Sequence, residues 1–267
     1  MKIGVISDIH IDKNSAYPVT EVLAQKAAEK EMDCLLLAGD ISNHHTTTLA
    51  FLEKFGRLLK VPFYFVPGNH DLWDEAEKAE DAREIYRLYA AHPACLVGKC
   101  VSLGGGWAAV GETGWYDYSF GNARFTRQDF EKHSRDNRTW MDSVNVRWHN
   151  TDCEVNQNML ARLEQRLAEG RGKRLIAVTH MVGHPAFVVP ETRPNWDYFN
   201  AFLGSARYGP LYQKYGVEYA IMGHVHFRKT HTENQLHYLC ACLNYFTEWQ
   251  TDSLEEEIEN ALHIFTV

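Results

Sequence analysis

The chain has 267 residues, 45% apolar and 23% charged, with a formal net charge of −8. That length can bury a substantial core in one large domain. The acidic balance argues against duplex DNA as a partner but leaves a small phosphate ester open, and no apolar run reaches the length of a membrane span.

In chain order, the first predicted element is a strand from Ile3 to Ile6, followed at once by Asp8-Ile9-His10. Because the strand begins at Lys2, no room is left for a signal peptide, and the expected compartment is the cytoplasm. Val19, Val22, Leu23 and Ala27 share one face of a helix. A second strand, Cys34 to Leu37, runs into Gly39-Asp40, and Leu52, Phe55, Leu58 and Leu59 mark the next helix. The third strand, Phe63 to Val66, runs into Gly68-Asn69-His70-Asp71, with a helix through Ala82, Ile85 and Tyr89 beyond it.

The pattern then shortens to Gly104-Gly105-Gly106 and Ala108 to Gly111, which predict further strands. Residues 115–150 combine Trp115, Tyr116, Tyr118, Phe120, Phe125, Phe130, Trp140 and Trp148 with Arg124, Arg127, Arg135 and Arg138. A stretch this long without regular periodicity is expected to be a cap over the strand ends, or else an insertion that packs elsewhere or makes an interface. Val155, Met159, Leu163 and Leu167 form a fourth helical stripe that stops at Gly170.

The strand Leu175 to Val178 leads to Thr179-His180, followed by a predicted rim loop over 181–200 containing Pro185, Pro190 and Pro194. Tyr219 to Met222 leads to Gly223-His224-Val225-His226; Arg228 to His231 and Leu236 to Cys240 then flank Glu233-Asn234 as a hairpin. The acidic run Glu255 to Glu259 is expected to be a solvated helix face. None of the cysteines has Cys-x-x-Cys spacing, so free thiols are expected.

Five short polar clusters thus follow five apolar strands, gathering carboxylates, imidazoles and a carboxamide where open α/β sheets bind ligands. In order they read Asp-x-His, Gly-Asp, Gly-Asn-His-Asp, His and Gly-His-x-His, and this set resembles the calcineurin-like metallophosphoesterase superfamily from Asp8 to His226. The resemblance implies an α/β fold, a four-layer α/β/β/α sandwich of two mixed sheets flanked by helices, in a single domain spanning 1–267.

It also implies two divalent transition-metal ions (Mn, Fe or Zn, which suit a mixed nitrogen and oxygen set) with Asp40 shared between them. Asp8, His10 and His226 would complete one set; Asn69, His180 and His224 would complete the other. His70 would assist the leaving group, and the adjacent Asp71 would either influence His70 or point away from it, while a metal-bridging hydroxide attacks a small phosphodiester or phosphomonoester. The rival reading is a catalytically silent scaffold on the same fold.

There are departures from some relatives. Ser/Thr protein phosphatases continue Gly-Asp with Asp-Arg, whereas Gly39-Asp40 here continues as Ile41-Ser42-Asn43-His44. The missing arginine argues against a protein phosphatase, and Asn43 could orient His70 only as an amide. The arrangement is nearer the bacterial cyclic-nucleotide phosphodiesterase-like and general phosphodiesterase branches. His44, His45 and His184 lie near motif loops, where substrate contact competes with plain loop exposure. The sequence assigns no oligomeric state.

Overall fold

The computed structural model describes residues 1–73 and 81–267. The first half contains β1 (Lys2–Ile6), α1 (Val19–Glu29), β2 (Cys34–Ala38), α2 (His45–Leu58), β3 (Phe63–Val66), α3 (Ala82–Ala91), β4 (Cys100–Gly104) and β5 (Trp107–Glu112). Short elements follow: α4 (Arg127–Phe130), β6 (Ser134–Arg135), β7 (Arg138–Thr139) and α5 (Asp142–Asn145). The remainder is α6 (Asp152–Glu169), β8 (Arg174–Thr179), α7 (Trp196–Phe199), α8 (Tyr208–Lys214), β9 (Val217–Met222), β10 (Arg228–Glu233), β11 (Leu236–Ala241), α9 (Leu254–Ala261) and β12 (His263–Thr266).

One sheet has the order β12-β1-β2-β3 and the other β10-β11-β9-β8-β5-β4. Strands β1, β2 and β3 are parallel, as are β11, β9, β8 and β5; the edge strands β12, β10 and β4 run antiparallel to their neighbours. Period-2 alternation along apolar strands sorts side chains into layers. Cys34 and Leu36 pack against Ile176, Val178 and Ile221 between the sheets, while Leu35 and Leu37 pack with Val22, Leu52 and Phe55 of the outer helices. Leu175 and Ala177 face a third apolar layer with Leu163 and Leu167 of α6. Two mixed sheets flanked by helices are therefore the four layers.

The strands predicted from apolar runs match within a residue or two at their ends, whereas Gly105-Gly106 is the turn between β4 and β5, with left-handed φ of 57° and 84°. The hairpin turn falls on Asn234-Gln235 rather than Glu233-Asn234, because Glu233 still pairs with Leu236 and both turn residues adopt left-handed φ of 50° and 68°. The acidic run is also corrected: Leu254, Glu257, Ile258 and Ala261 form the inward face of α9, so Glu257 is buried. Its carboxylate accepts from Gln250 N–H at 2.6 Å, Thr251 N–H at 2.7 Å and the Arg228 guanidinium.

Much of 115–150 is core. Trp115, Tyr116, Tyr118, Phe130, Val146 and Trp148 are buried in the layer that also holds Phe55 and Ile85. Asp152 ties this cluster down, accepting from Trp115 Nε1 at 2.7 Å and from the Tyr118 hydroxyl, and lying 2.7 Å from His133 Nε2. All six cysteines are free. Among the described residues no helix is long and apolar enough to cross a membrane.

Candidate metal centre

Parallel strands end on the same side of a sheet, so the loops after β1, β2, β3, β8 and β9 converge. Their turns are tight. Asp8, His10, Asp40, His224 and His226 all have left-handed φ, of 52°, 38°, 54°, 72° and 53°. Asp, Asn and His are the non-glycine residues that best tolerate this region. Glycine supplies clearance: a Cβ on Gly68 would lie 2.1 Å from Asp40 Oδ1, and one on Gly223 would lie 2.5 Å from Asp8 Oδ2. Buried Asn14 braces the rim, donating to the Ile9 and Asn244 carbonyls and accepting from Phe246 N–H.

Three groups of side chains result, overlapping at His10 and Asp40. Asp8, His10 and His226 offer ligand atoms that all lie within 4.8 Å of one another, and so do Asp40, His180 and His224. Within the first, His10 Nε2 and His226 Nε2 approach to 3.3 Å. Within the second, Asn69 Oδ1 lies 2.9 Å from both His180 Nε2 and His224 Nδ1. Asp40 Oδ2 sits between them, 3.2 Å from His180 Nε2 and 3.8 Å from His10 Nε2. The seven predicted ligand residues are thus brought together around one carboxylate.

The outward ring nitrogens supply a test of fit to cations. Metal-binding imidazoles commonly donate their second N–H to a carbonyl or carboxylate, which fixes the tautomer. Here His180 Nδ1 faces the Ala38 carbonyl at 2.8 Å, His224 Nε2 faces the Phe202 carbonyl at 3.3 Å, and His226 Nδ1 faces Glu248 at 2.7 Å. Three rings therefore turn the opposite nitrogen inward, beside the carboxylates and the Asn69 oxygen. His10 differs, since its buried Nδ1 has no hydrogen-bond partner. The donor set, with convergent N and O atoms and mixed borderline character, fits a pair of divalent transition-metal ions.

Electrostatics divide these imidazoles into two lowered and two raised. Burial drives His10 well below its ordinary value, and burial followed by the charge on His180 lowers His224 to about 3. Burial also opposes protonation of His180, but Asp40 outweighs it and raises the ring to about 10. Burial likewise disfavours the Asp40 charge, yet His180 and His70 hold that carboxyl well below the usual range. His226 is raised as well: burial opposes its proton, but the hydrogen bond to Glu248 and the charge of Asp8 outweigh burial, so His180 and His226 favour the proton while His10 and His224 present lone pairs.

His70 makes the third group with His10 and Asp40, its Nε2 3.9 Å from Asp40 Oδ2. Its backbone N–H donates to Asp40 Oδ1 at 2.9 Å, its ring stacks on Trp73 at 3.8 Å, and its Nδ1 lies 2.8 Å from Asn43 Oδ1. Asp71 does not face that ring. Its carboxylate accepts from Ile41 N–H, Ser42 N–H, Gly68 N–H and the Thr48 hydroxyl, so it ties the loop after β2 to the loop after β3. Of the two expectations for Asp71, influence on His70 or a side chain pointing away from it, these contacts fit the second: both carboxylate oxygens are engaged by backbone N–H groups and Thr48.

A cavity of about 550 Å³ opens over Asp40, Asn69, His70, His224 and His226. Trp73, Trp140, Trp196 and Tyr245 supply aromatic wall, and Arg138 and Arg193 reach it from the insertion and the rim loop. His44, His45 and His184 are not among its walls. His44 instead caps α2, accepting from Thr46 N–H. His184 groups with His231 and Glu233 elsewhere, but its Nδ1 accepts from Ala186 N–H, leaving the neutral ring's proton on the nitrogen facing Glu233. That tautomer is a hydrogen-bond donor to Glu233, not a lone pair for an ion.

Sequence reasoning did not identify Trp73, Asp142, Tyr245 or Glu248 as parts of the site. Glu248 follows its partner His226 by 22 residues, at no motif spacing. Trp73 carries a faint signal, as an aromatic two residues beyond the Gly-Asn-His-Asp cluster.

The sequence pattern of calcineurin-like phosphoesterases matches residues 1–228. A probable cyclic nucleotide phosphodiesterase from Fibrobacter succinogenes is 32% identical over 93 residues, covering 32% of this chain and 36% of that protein. The chain thus matches little more than a third of that relative's length. Among solved structures, the phosphopantetheinyl hydrolase of Mycobacterium tuberculosis is similar with a TM-score of 0.78 at 18% identity, covering 95% of this chain and 94% of that one. A dimetal phosphatase from Danio rerio gives a TM-score of 0.53 at 13% identity, covering 90% and 86% respectively. These two likenesses are of fold.

Proposed function

The chain belongs to the calcineurin-like phosphoesterase family, and from that premise we propose that it hydrolyses a small phosphate ester using two divalent transition-metal ions. Asp8, His10 and His226 would hold one ion; Asn69, His180 and His224 would hold the other; Asp40 lies within reach of both groups. The observation that carries this reading is the convergence of the two donor groups on Asp40, with three imidazoles turned inward by partners on their far nitrogens. Ions bound there supply acidification of water at neutral pH and neutralisation of phosphate charge.

The chain's own residues do the rest. Asn43 accepts from His70 Nδ1–H, so Nε2 is the nitrogen available to pass a proton to the departing oxygen. Trp73 fixes the plane of that ring by stacking. Trp140 and Trp196 offer flat apolar surface to an organic substituent, and their cavity is of small-molecule size. Arg138 lies over Trp196 and Phe199, and neither it nor Arg193 has a carboxylate partner among the described residues. A substrate with a second anionic group suits this rim. Phosphodiesters are the first class to try, in keeping with the phosphodiesterase that shares the 93-residue stretch.

The test is metal analysis of the purified protein, together with hydrolysis of bis(4-nitrophenyl) phosphate and 4-nitrophenyl phosphate before and after chelation. Close to two ions and chelator-sensitive turnover, restored by Mn, are expected. Undiminished turnover in rigorously metal-free protein contradicts the proposal.

A further inference from the structure

Asp142 opens α5 inside the insertion and is 2% exposed. Its Oδ1 accepts from Asn69 Nδ2 at 2.8 Å and from Trp73 Nε1 at 2.7 Å, and its Oδ2 accepts from Trp140 Nε1 at 2.9 Å. We propose that Asp142 is a positioning residue: it locks the Asn69 carboxamide with its oxygen turned to the His180 and His224 nitrogens, and so sets the affinity of that half of the centre for its cation. The inference rests on Asn69 being a ligand, as proposed above.

An amide is nearly symmetric in shape, and rotation by half a turn exchanges an acceptor for a donor. Steric packing discriminates poorly between the two orientations. An ionised carboxylate accepts only, so it admits the NH₂ group and repels the oxygen. Reversal would set the Asn69 oxygen against Asp142 and aim two N–H donors at the cation. The bond at 2.8 Å also draws charge through the amide towards its oxygen, as partners of metal-bound groups commonly do.

A purely structural role accounts poorly for a buried carboxyl with these three donors. Burying a carboxyl is costly, and burial raises this one above its ordinary value; three N–H donors converge on its two oxygens, and no lysine or arginine pairs with it among the described residues. A neutral acceptor could receive the two indole N–H groups. Two oxygens that only accept here, from three N–H groups, are explained once the Asn69 amide must be held in one orientation. The same carboxylate anchors Trp73, which stacks on His70, and Trp140, which packs on Phe202, so the cavity wall and the centre share one post.

The experiment is Co(II) titration of full-length metal-free protein, followed by visible absorption and metal analysis, with thermal melts of each variant. Asp142→Asn should weaken one of the two Co(II) ions by roughly 10- to 100-fold, the usual span for such partners, and leave the other unchanged. Combining Asn69→Asp with Asp142→Asn puts donor and acceptor back in exchanged places, and should recover most of the loss relative to either single change. A wild type that takes up no second ion overturns the ligand reading itself. A wild type with two ions and an Asp142→Asn variant that binds both as tightly overturns the positioning role alone. If Asp142→Asn does not fold, the exchanged pair decides: two ions support the proposal, and one ion overturns it.

Discussion

The Asn43 amide oxygen lies 2.8 Å from His70 Nδ1, occupying the place at which a carboxylate would have added charge. An amide orients the ring and fixes its tautomer without pairing an imidazolium. His70→Ala should retain both ions and lose roughly 10²- to 10⁴-fold on an alkyl phosphate ester, the span of acid–base assistance, with a clearly smaller loss on a nitrophenyl ester. Asn43→Ala should show the same substrate dependence at reduced size. Steady-state rates on the two esters, with metal content measured in parallel, check this; equal losses would assign His70 to phosphate positioning.

Asp40 stands 3.2 Å from His180 and 3.8 Å from His10, so one side chain is within reach of both donor groups. Asp40→Asn should therefore be the most damaging of the ligand substitutions and reduce occupancy of both ions, whereas Asp8→Asn should reduce chiefly one. Metal analysis after dialysis distinguishes the two patterns.

His180 sets a pH dependence. In the metal-free protein its pKa is raised to about 10, with burial overcome by Asp40. A histidine whose folded value exceeds its unfolded one, about 6.5, contributes stability that is present below pH 6.5 and lost as pH rises towards 10. An incoming ion needs the Nε2 lone pair, so it must displace that proton. Metal loading at pH 7 should release protons, and apparent affinity should climb with pH across the same window. Calorimetry in two buffers of different ionisation enthalpy measures the release; none at pH 7 would contradict the assignment.

Glu257 gives the opposite sign. Burial works to raise its carboxyl, but Arg228 and the Thr251 and Gln250 N–H groups prevail and lower it. Its stabilising share is present above the unfolded carboxylate value, about 4.3, and is lost as pH falls through the lower folded value. Glu257→Gln should cost about 1.5–3 kcal/mol at pH 7, the span for hydrogen bonds to a charged group, and the gap to wild type should narrow in acid. Urea unfolding at pH 7 and pH 3.5 provides the comparison. Since Arg228 lies two residues after His226, the damage should also loosen metal binding.

Arg138 and Arg193 approach the cavity from separate segments. Replacing both with glutamate should raise KM by roughly tenfold or more for esters carrying a second phosphate, the loss of about one charge-assisted contact, and by much less for 4-nitrophenyl phosphate. Nucleoside 5′-monophosphates and 3′,5′-bisphosphates form a suitable substrate pair. An equal change on both members would remove the second anionic group from the proposal.

What could be read from the residues, and what could not, follows from how each part is encoded. Strand-end clusters keep their order because each is attached to its own strand, so Asp8, Asp40, Asn69, His180 and His224 were legible one after another. The layers were legible too, through alternation such as Leu35 and Leu37 on one face and Cys34 and Leu36 on the other. Asp142 was not, because it is 73 residues from Asn69 and the contact exists only after the insertion has packed. The insertion itself misled by composition. Trp115, Tyr116 and Trp148 resemble material for a cavity wall, yet they lie in the core, while a short stretch from Arg138 to Asp142 faces the cavity.

Left-handed backbone at His10, Asp40, His224 and His226 also bears on how this protein can change over generations. L-residues other than glycine lose on the order of 1 kcal/mol in that region, and only the side chains' chemistry justifies the loss. Selection for heat resistance without selection for hydrolysis has a short route open to it, through glycine at these turns followed by apolar filling of the space left behind. Descendants that took that route would keep both sheets and all four layers, and would be harder to unfold and chemically inert.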